Sequence, residues 1–152
     1  MEWEPINARL IVARFYGTPT NISIIQGYAP TNDAESEEKA EFYDTLQNTI
    51  DKIPKKDPLI IVGDSNAKIG SDNTGREHVM GRHGEGEINA NGDLFVDMCA
   101  FNSMAIVGSI FPHKRVHRVT WVPPDHHKEN QIDHISRMSE CTEGQMWRRT
   151  TT

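Results

Sequence analysis

The chain has 152 residues, of which 36% are hydrophobic and 25% charged, with a formal charge of −6 at pH 7. This length suits one domain with one core, and the acidic balance excludes bulk electrostatic binding to nucleic acid, so any DNA contact needs a local basic patch. No apolar run approaches the ~20 residues that span a bilayer, and Cys99 and Cys141 form no zinc or disulfide motif, which predicts a soluble protein of a reducing, intracellular compartment.

The first half of the chain predicts two strands, a helix and a third strand. Residues 9–16 and 22–28 are β-rich runs separated by a turn that contains glycine, which is typical of a hairpin. A helix follows, with Asn32 or Ser36 as cap, because apolar residues recur at helical spacing: Tyr43, Leu46, Ile50 and Ile53. Prolines then lead into an apolar strand over residues 59–62.

The second half predicts one helix and three short strands. The glycine-rich stretch 70–92 lacks the G-x-G-x-x-G spacing of a nucleotide-binding turn, so we expect a surface loop. A second helix begins near Asn91, which is a good capping residue. Strands are predicted at 104–108, 118–122 and 129–135. This order, without an internal repeat, indicates a mixed α/β layered fold.

The most informative residues follow the third strand, in the segment Gly63-Asp-Ser-Asn66. Side chains two apart in an extended chain point the same way, so Asp64 and Asn66 would lie together at the mouth of a sheet. Sites that handle phosphate are often built in this way. An ordinary Asx turn after a buried strand gives the same pattern.

Three further segments stand at the ends of β-like runs or within them: Tyr28-Ala-Pro-Thr, Val119-Thr-Trp121 and Asn130-Gln-Ile-Asp-His-Ile135. With all four segments in this order, over residues 3–138, the chain resembles the endonuclease/exonuclease/phosphatase superfamily, and most closely the endonuclease domain of non-LTR retrotransposons. The resemblance implies a four-layer α/β sandwich, incomplete here, and phosphodiester hydrolysis with Mg²⁺ or Mn²⁺. It also implies DNA as partner and substrate, and a nuclear location.

Carried over by position, the resemblance assigns catalytic roles to four residues. Tyr28 would contact the scissile phosphate through its hydroxyl, and Asn66 would hydrogen-bond a phosphate oxygen. Asp64 would act in proton transfer, which requires a pKa raised by burial or by a nearby carboxylate. Asp133 would orient a catalytic histidine.

Other members of the family pattern have no counterpart: an upstream Asn, the metal-binding Glu and a terminal Ser-Asp-His segment. We therefore expect a partial domain over residues 1–138, truncated at both ends, and a disordered tail over 139–152. Ser65 stands where the family usually has an aromatic or apolar residue, which would remove packing beside the site. The expected function is that of a weak or inactive endonuclease fragment. The alternatives are a non-catalytic binding remnant for nucleic acid or protein, a small-molecule phosphatase, and a chain that does not fold.

Histidines and basic residues are the remaining candidates for catalysis, metal binding or DNA contact. Asp133 and His134 together look like a catalytic Asp-His pair. Neighbouring residues in a strand face opposite sides, so we expect the His134 side chain to point away from that of Asp133. A zinc site that includes His113 and His117 is disfavoured because Pro112 and the β-branched neighbours oppose a helix. The segment 113–118 and the nearby tryptophan are candidate DNA contacts, with a solvated loop and a core position as alternatives: Lys114, Arg115, Arg118 and Trp121.

Overall fold

The computed structural model describes residues 1–124 and 130–138. The predicted tail over 139–152 and the histidines His126 and His127 lie outside the described residues. The strands are β1 (Glu2–Pro5), β2 (Leu10–Phe15), β3 (Ile22–Tyr28), β4 (Leu59–Asp64), β5 (Met104–Ile106) and β6 (Asp133–Met138), and the helices are α1 (Ser36–Lys52) and α2 (Ala90–Phe101). None of the described helices has the length and apolar character that crossing a membrane requires.

The six strands form one sheet in the order β1-β2-β3-β4-β6-β5. The first three strands are antiparallel neighbours, so the predicted hairpin is confirmed and β1 extends it. β3 and β4 are parallel and connected through α1, whereas β6 runs antiparallel to both β4 and β5. The mixed α/β class predicted from the sequence is therefore confirmed.

The element boundaries depart from the sequence prediction at several points, and the residue before α1 is Glu35, not Asn32 or Ser36. β1 was not predicted, because its residues are all exposed and show no buried alternation. Asn91 lies within the first turn of α2, and the cap is Asn89, whose side chain accepts a hydrogen bond from the Gly92 N–H at 2.7 Å. The predicted strand at 118–122 is reduced to an isolated bridge between Trp121 and Asn130. The last strand begins later than predicted, at Asp133.

A single core fills the space between the sheet and the two helices. Its residues come from alternate positions of the strands and from the inner faces of the helices, as periods of 2 and 3.6 require: Leu10, Ile25, Phe42, Leu46, Ile50, Leu59, Ile61, Phe95, Val96, Met98 and Cys99. Val79 and Met80 are also buried, so the irregular stretch predicted as surface loop contributes to this core.

The opposite side of the sheet, here called the open face, carries neither of the two described helices. Large apolar side chains remain accessible on it, and Trp3 and Ile135 are 64% and 53% exposed. Of the four layers that the resemblance implies, the described residues thus form two, namely one sheet and one layer of helices.

A buried ion pair fixes the connection between α1 and β4. The Asp57 carboxylate, with a fully buried side chain, accepts hydrogen bonds from Arg14 Nε at 2.6 Å and from Ser23 Oγ at 3.0 Å. The hydrogen bond from Arg14 holds the pKa of Asp57 below its usual value. Because Arg14 and Ser23 belong to β2 and β3, this contact attaches the start of β4 to the neighbouring strands.

The parallel strands β3 and β4 are in close contact at a pair of glycines. Gly27 and Gly63 are register partners, and a Cβ added at Gly63 would lie 2.0 Å from the Gly27 carbonyl oxygen. Gly63 also has φ of +132°, a conformation that side chains strongly disfavour. Only glycine therefore fits at this position.

We predict that Gly63→Ala destabilises the protein by about 3 kcal/mol or more, because backbone strain adds to a clash with main-chain atoms. The matched control is Gly75→Ala, where φ is +74° but nothing lies within 4 Å of an added Cβ. Strain alone should cost that variant only about 1–2 kcal/mol. Urea denaturation of both variants measures the difference, and equal losses of stability would contradict the steric argument.

Candidate functional site

Three of the four predicted catalytic residues lie side by side on the open face, at the ends of three neighbouring strands. Tyr28 is the register partner of Asp64 in the parallel pair, and Asp64 is the register partner of Asp133 in the antiparallel pair. Opposed residues on neighbouring strands present their side chains to the same face. Tyr28, Asp64 and Asp133 therefore form one row, here called the acidic row.

Asn66 follows in the loop after β4 and adopts a left-handed backbone with φ of 48°. Its backbone N–H donates to Asp64 Oδ1 at 2.9 Å, which forms an Asx turn, and its Nδ2 donates to the carbonyl of Ala29 at 2.9 Å. The carboxamide thus links the loops that follow β3 and β4. One of its two N–H donors is used in that link, and no residue in the described part of the chain accepts from the other.

Asp64 has the electrostatic character that proton transfer requires. Partial burial raises the pKa of its carboxyl, the hydrogen bond from the Asn66 N–H opposes this effect, and the nearby charge of Asp133 raises the pKa further. The carboxylate of Asp133 makes no hydrogen bond or ion pair within the described part of the chain. Among the described residues, no cation forms an ion pair with either of these two carboxylates.

Arg9 is a neighbour of the acidic row that the sequence did not reveal. Its guanidinium lies 5.4 Å from the centroid of the Tyr28 ring and donates to the Tyr28 carbonyl at 3.3 Å. The same group pairs with Glu38 of α1 at 2.6 Å. Arg9 precedes β2 in the chain, so only the strand register brings it beside Tyr28.

Side chains at the start of α2 bond to the loop after β3 and to the loop after β4. Asn91 is 1% exposed, and its Nδ2 donates to the carbonyls of Pro30 at 2.9 Å and Asn66 at 3.2 Å. Asn89 Oδ1 accepts from the Lys68 N–H at 3.0 Å. The Asn-x-Asn spacing in residues 89–91 is the sequence signal for this role, whereas helix-capping preference alone predicts Asn91 as a cap.

Two hydroxyl groups position the start of β6. Ser65 donates to the Ile132 carbonyl through its backbone N–H at 3.0 Å and through its Oγ at 2.9 Å. Thr120 Oγ1 accepts from the N–H groups of Ile132 at 3.0 Å and Asp133 at 3.3 Å. The Ser65 side chain therefore contributes one hydrogen bond that holds the residue before Asp133.

His134 points into the core, on the face opposite to Asp133, as strand alternation predicts. It is 5% exposed, its Nε2 lies 2.7 Å from the Ala67 carbonyl oxygen, and its ring stacks on Phe95 with centroids 5.3 Å apart. Burial lowers the pKa of this imidazole. His134 is therefore a neutral packing residue and does not belong to the acidic row.

The predicted substrate contacts do not form one group, and the side chain of Arg115 lies outside those that the structure describes. Arg118 pairs with Glu85 at 2.8 Å and donates to the His83 carbonyl at 3.1 Å, whereas Lys114 is exposed. Trp121 is 46% exposed, so it is not a core residue, and its bridge to Asn130 places it near the start of β6.

The described residues do not supply a complete metal site. No three side chains of His, Cys, Asp or Glu come together among residues 1–124 and 130–138. Magnesium in proteins is held by one or two carboxylates together with water and substrate phosphate. Asp64 and Asp133 could contribute to such a site, but their two carboxylates alone do not form a resident one.

Most of this chain is similar in sequence to part of a known protein. No protein-family model matches the chain. Craniofacial development protein 2 of Bos taurus and that of Tragulus javanicus are each 40% identical to it over 129 residues. Each alignment covers 85% of this chain and 22% of the relative, so the chain spans about a fifth of the length of these proteins.

Two solved structures share the fold. The 3′ phosphatase NExo from Neisseria, bound to a product DNA hairpin, superposes with a TM-score of 0.58 at 16% identity, over 86% of this chain and 52% of that one. Humanized TDP2 of D. rerio gives a TM-score of 0.53 at 16% identity, over 93% and 52%. The chain therefore has the fold of the endonuclease/exonuclease/phosphatase proteins.

We predict that Asp133→Asn lowers the pKa of Asp64, because the substitution removes the like charge that raises it. A carbon-13 NMR titration of the Asp64 carboxyl measures the change. The matched control is Asp97→Asn on the exposed side of α2, which should leave the Asp64 titration unchanged. An unchanged Asp64 pKa in Asp133→Asn would show that the two carboxylates do not interact.

His134 should make stability depend on pH. The native imidazole resists protonation, whereas the unfolded one takes up a proton below its ordinary pKa of 6.5. The unfolded state then binds more protons, so the free energy of unfolding should fall as the pH is lowered through 6.5.

Urea denaturation at several pH values measures this dependence. His134→Gln should flatten the profile between pH 5 and 7 (about two units around the ordinary histidine pKa), whereas His78→Gln, at an exposed position, should not. A wild-type profile that is flat in this range would refute the prediction.

Proposed function

We propose that this chain is a segment of a phosphodiester hydrolase of the endonuclease/exonuclease/phosphatase superfamily, of the type found in non-LTR retrotransposons. The shared fold and the similarity to craniofacial development protein 2 support the superfamily. The observation that carries the proposed activity is the strand register that sets Tyr28, Asp64 and Asp133 in one row. The retrotransposon type rests on the four sequence segments and their order.

The residues of the row suit the chemistry of a phosphodiester. Such a substrate is an anion, so catalysis consists largely of positioning it and stabilising charge that develops on oxygen. The Tyr28 hydroxyl and the remaining N–H of Asn66 are neutral donors that can bind a phosphate oxygen. Asp64, whose pKa is raised, is the candidate for proton transfer to or from the reacting oxygens.

We propose that the chain by itself hydrolyses phosphodiesters slowly. Asp64 and Asp133 place negative charge where an anionic substrate must bind, and no described cation is paired with either group. Among the described residues there is also no group of three or more His, Cys, Asp or Glu side chains that could hold a metal ion without help from the substrate. Both conditions weaken substrate binding and charge stabilisation.

DNA is the proposed substrate. The resemblance implies it, and the structurally similar NExo was solved with a product DNA hairpin. The exposed Lys114 and the neighbouring Arg115 would supply the local positive charge that an acidic chain otherwise lacks. We propose that this basic segment contacts the DNA backbone.

Nicking of supercoiled plasmid DNA with Mg²⁺ or Mn²⁺ tests the function. We expect slow nicking that falls by about 100-fold or more in Asp64→Asn, the range expected for loss of general acid or base catalysis. The matched control, Asp97→Asn on the exposed side of α2, should nick at the wild-type rate.

Three outcomes would contradict parts of the proposal. Equal nicking by Asp64→Asn and wild type would remove the acidic row as the site. Rapid turnover by the wild type would contradict the expected weakness. If nicking is absent but DNA binding persists, survives Asp64→Ala with Asn66→Ala and is weakened by Lys114→Ala with Arg115→Ala, the chain is the non-catalytic binding module that its basic segment 113–118 also favours.

A further inference from the structure

Arg9 is a cation in direct contact with a residue of the acidic row. Its guanidinium lies 5.4 Å from the centroid of the Tyr28 ring, and its Nη1 donates to the Tyr28 carbonyl at 3.3 Å. The hydroxyl of the same ring is the proposed contact to the substrate phosphate. A phosphate held there would therefore lie close to the positive charge of Arg9.

The guanidinium of Arg9 has donors to spare for an anion. It carries five N–H groups in a planar fork, which matches the geometry of phosphate oxygens. Two of these groups donate to the Tyr28 carbonyl and to Glu38 Oε1. The other three have no acceptor in the described parts of the chain, and the Arg9 side chain is 33% exposed.

Glu38 neutralises this cation when no substrate is bound. Its Oε1 accepts from Arg9 Nη2 at 2.6 Å, and its side chain is 46% exposed. Glu38 lies in the first turn of α1, so the pair forms on the helix side of the sheet and not on the open face. An exposed ion pair of this kind is weak, because water screens both charges. A phosphate, which also binds arginine through two parallel hydrogen bonds, can displace the carboxylate.

We infer that Arg9 is the phosphate-binding cation beside the acidic row and that Glu38 competes with the phosphate for its guanidinium. Asp64 and Asp133 repel an anion, and the charge of Arg9 offsets part of this repulsion. While Glu38 holds Arg9, the pair adds no net charge, so attraction of the substrate is reduced. The inference rests on the proposed function, because that function places the substrate phosphate at Tyr28.

Fluorescence anisotropy of a short labelled DNA duplex tests the role of Arg9, with divalent metal left out so that no cleavage occurs. Arg9→Ala should raise the dissociation constant by about tenfold, as expected for loss of a hydrogen bond to a charged group. The salt dependence, as the slope of log K against log salt, should fall by about 1. The matched control is Lys52→Ala, which removes the same charge about 21 Å from Glu38 along α1 and should change the constant by less than about twofold.

A double-mutant cycle tests the competition. Glu38→Gln should lower the dissociation constant by about fivefold, because it releases the guanidinium. Glu37→Gln removes the same charge from the same turn of α1 and should lower the constant by less than about twofold. In the Arg9→Ala background the two glutamate variants should have equal effects, since Glu38 then has no cation to hold. Far-UV circular dichroism establishes that the variants are folded.

Three results would overturn the inference: no binding of DNA by the wild type, equal binding by Arg9→Ala and Lys52→Ala, or equal effects of the two glutamate variants in the wild-type chain. Nicking that depends on Asp64 but is unchanged in Arg9→Ala would also overturn it, and would leave the proposed function intact. Binding that depends on Arg9 without any nicking would support the inference and contradict the proposed hydrolysis.

Discussion

The close contact between β3 and β4 at Gly27 and Gly63 is the constraint on which the site depends. Parallel strands need a long connection, which α1 supplies, and at Gly27 and Gly63 there is no room for a side chain between the two backbones. Because Gly63 has no side chain, the strands can continue in register to Tyr28 and Asp64. β6 then pairs with the other side of β4 and adds Asp133. A shift of one residue would turn Asp64 to the opposite face.

Hydrogen bonds from side chains to the main chain hold the loops around this contact. Asn91 connects the loops after β3 and β4, and Ser65 connects β4 to the start of β6. A single bond of this kind contributes about 1 kcal/mol. Together they fix loops that have no regular secondary structure. The geometry of the acidic row is therefore supported by the scaffold itself.

The sequence predicted the elements with strong periodicity and missed those that depend on tertiary contacts. The alternation in β2 and β3 and the helical spacing of Leu46 and Ile50 are local, so the hairpin and α1 were predictable. β1 exists because β2 offers a free edge, and Arg9 reaches Tyr28 only through the register. Such effects join residues far apart in the chain, and the local pattern does not contain them.

The left-handed backbone of Asn66 has an evolutionary consequence. Asparagine tolerates this conformation better than most residues, and its side chain also attaches the loop to Ala29. Both contributions concern folding and need no substrate. Selection for a stable fold would therefore retain the Gly-Asp-x-Asn motif in a lineage that has lost phosphodiester hydrolysis. In such a lineage, the motif would persist as a record of ancestry.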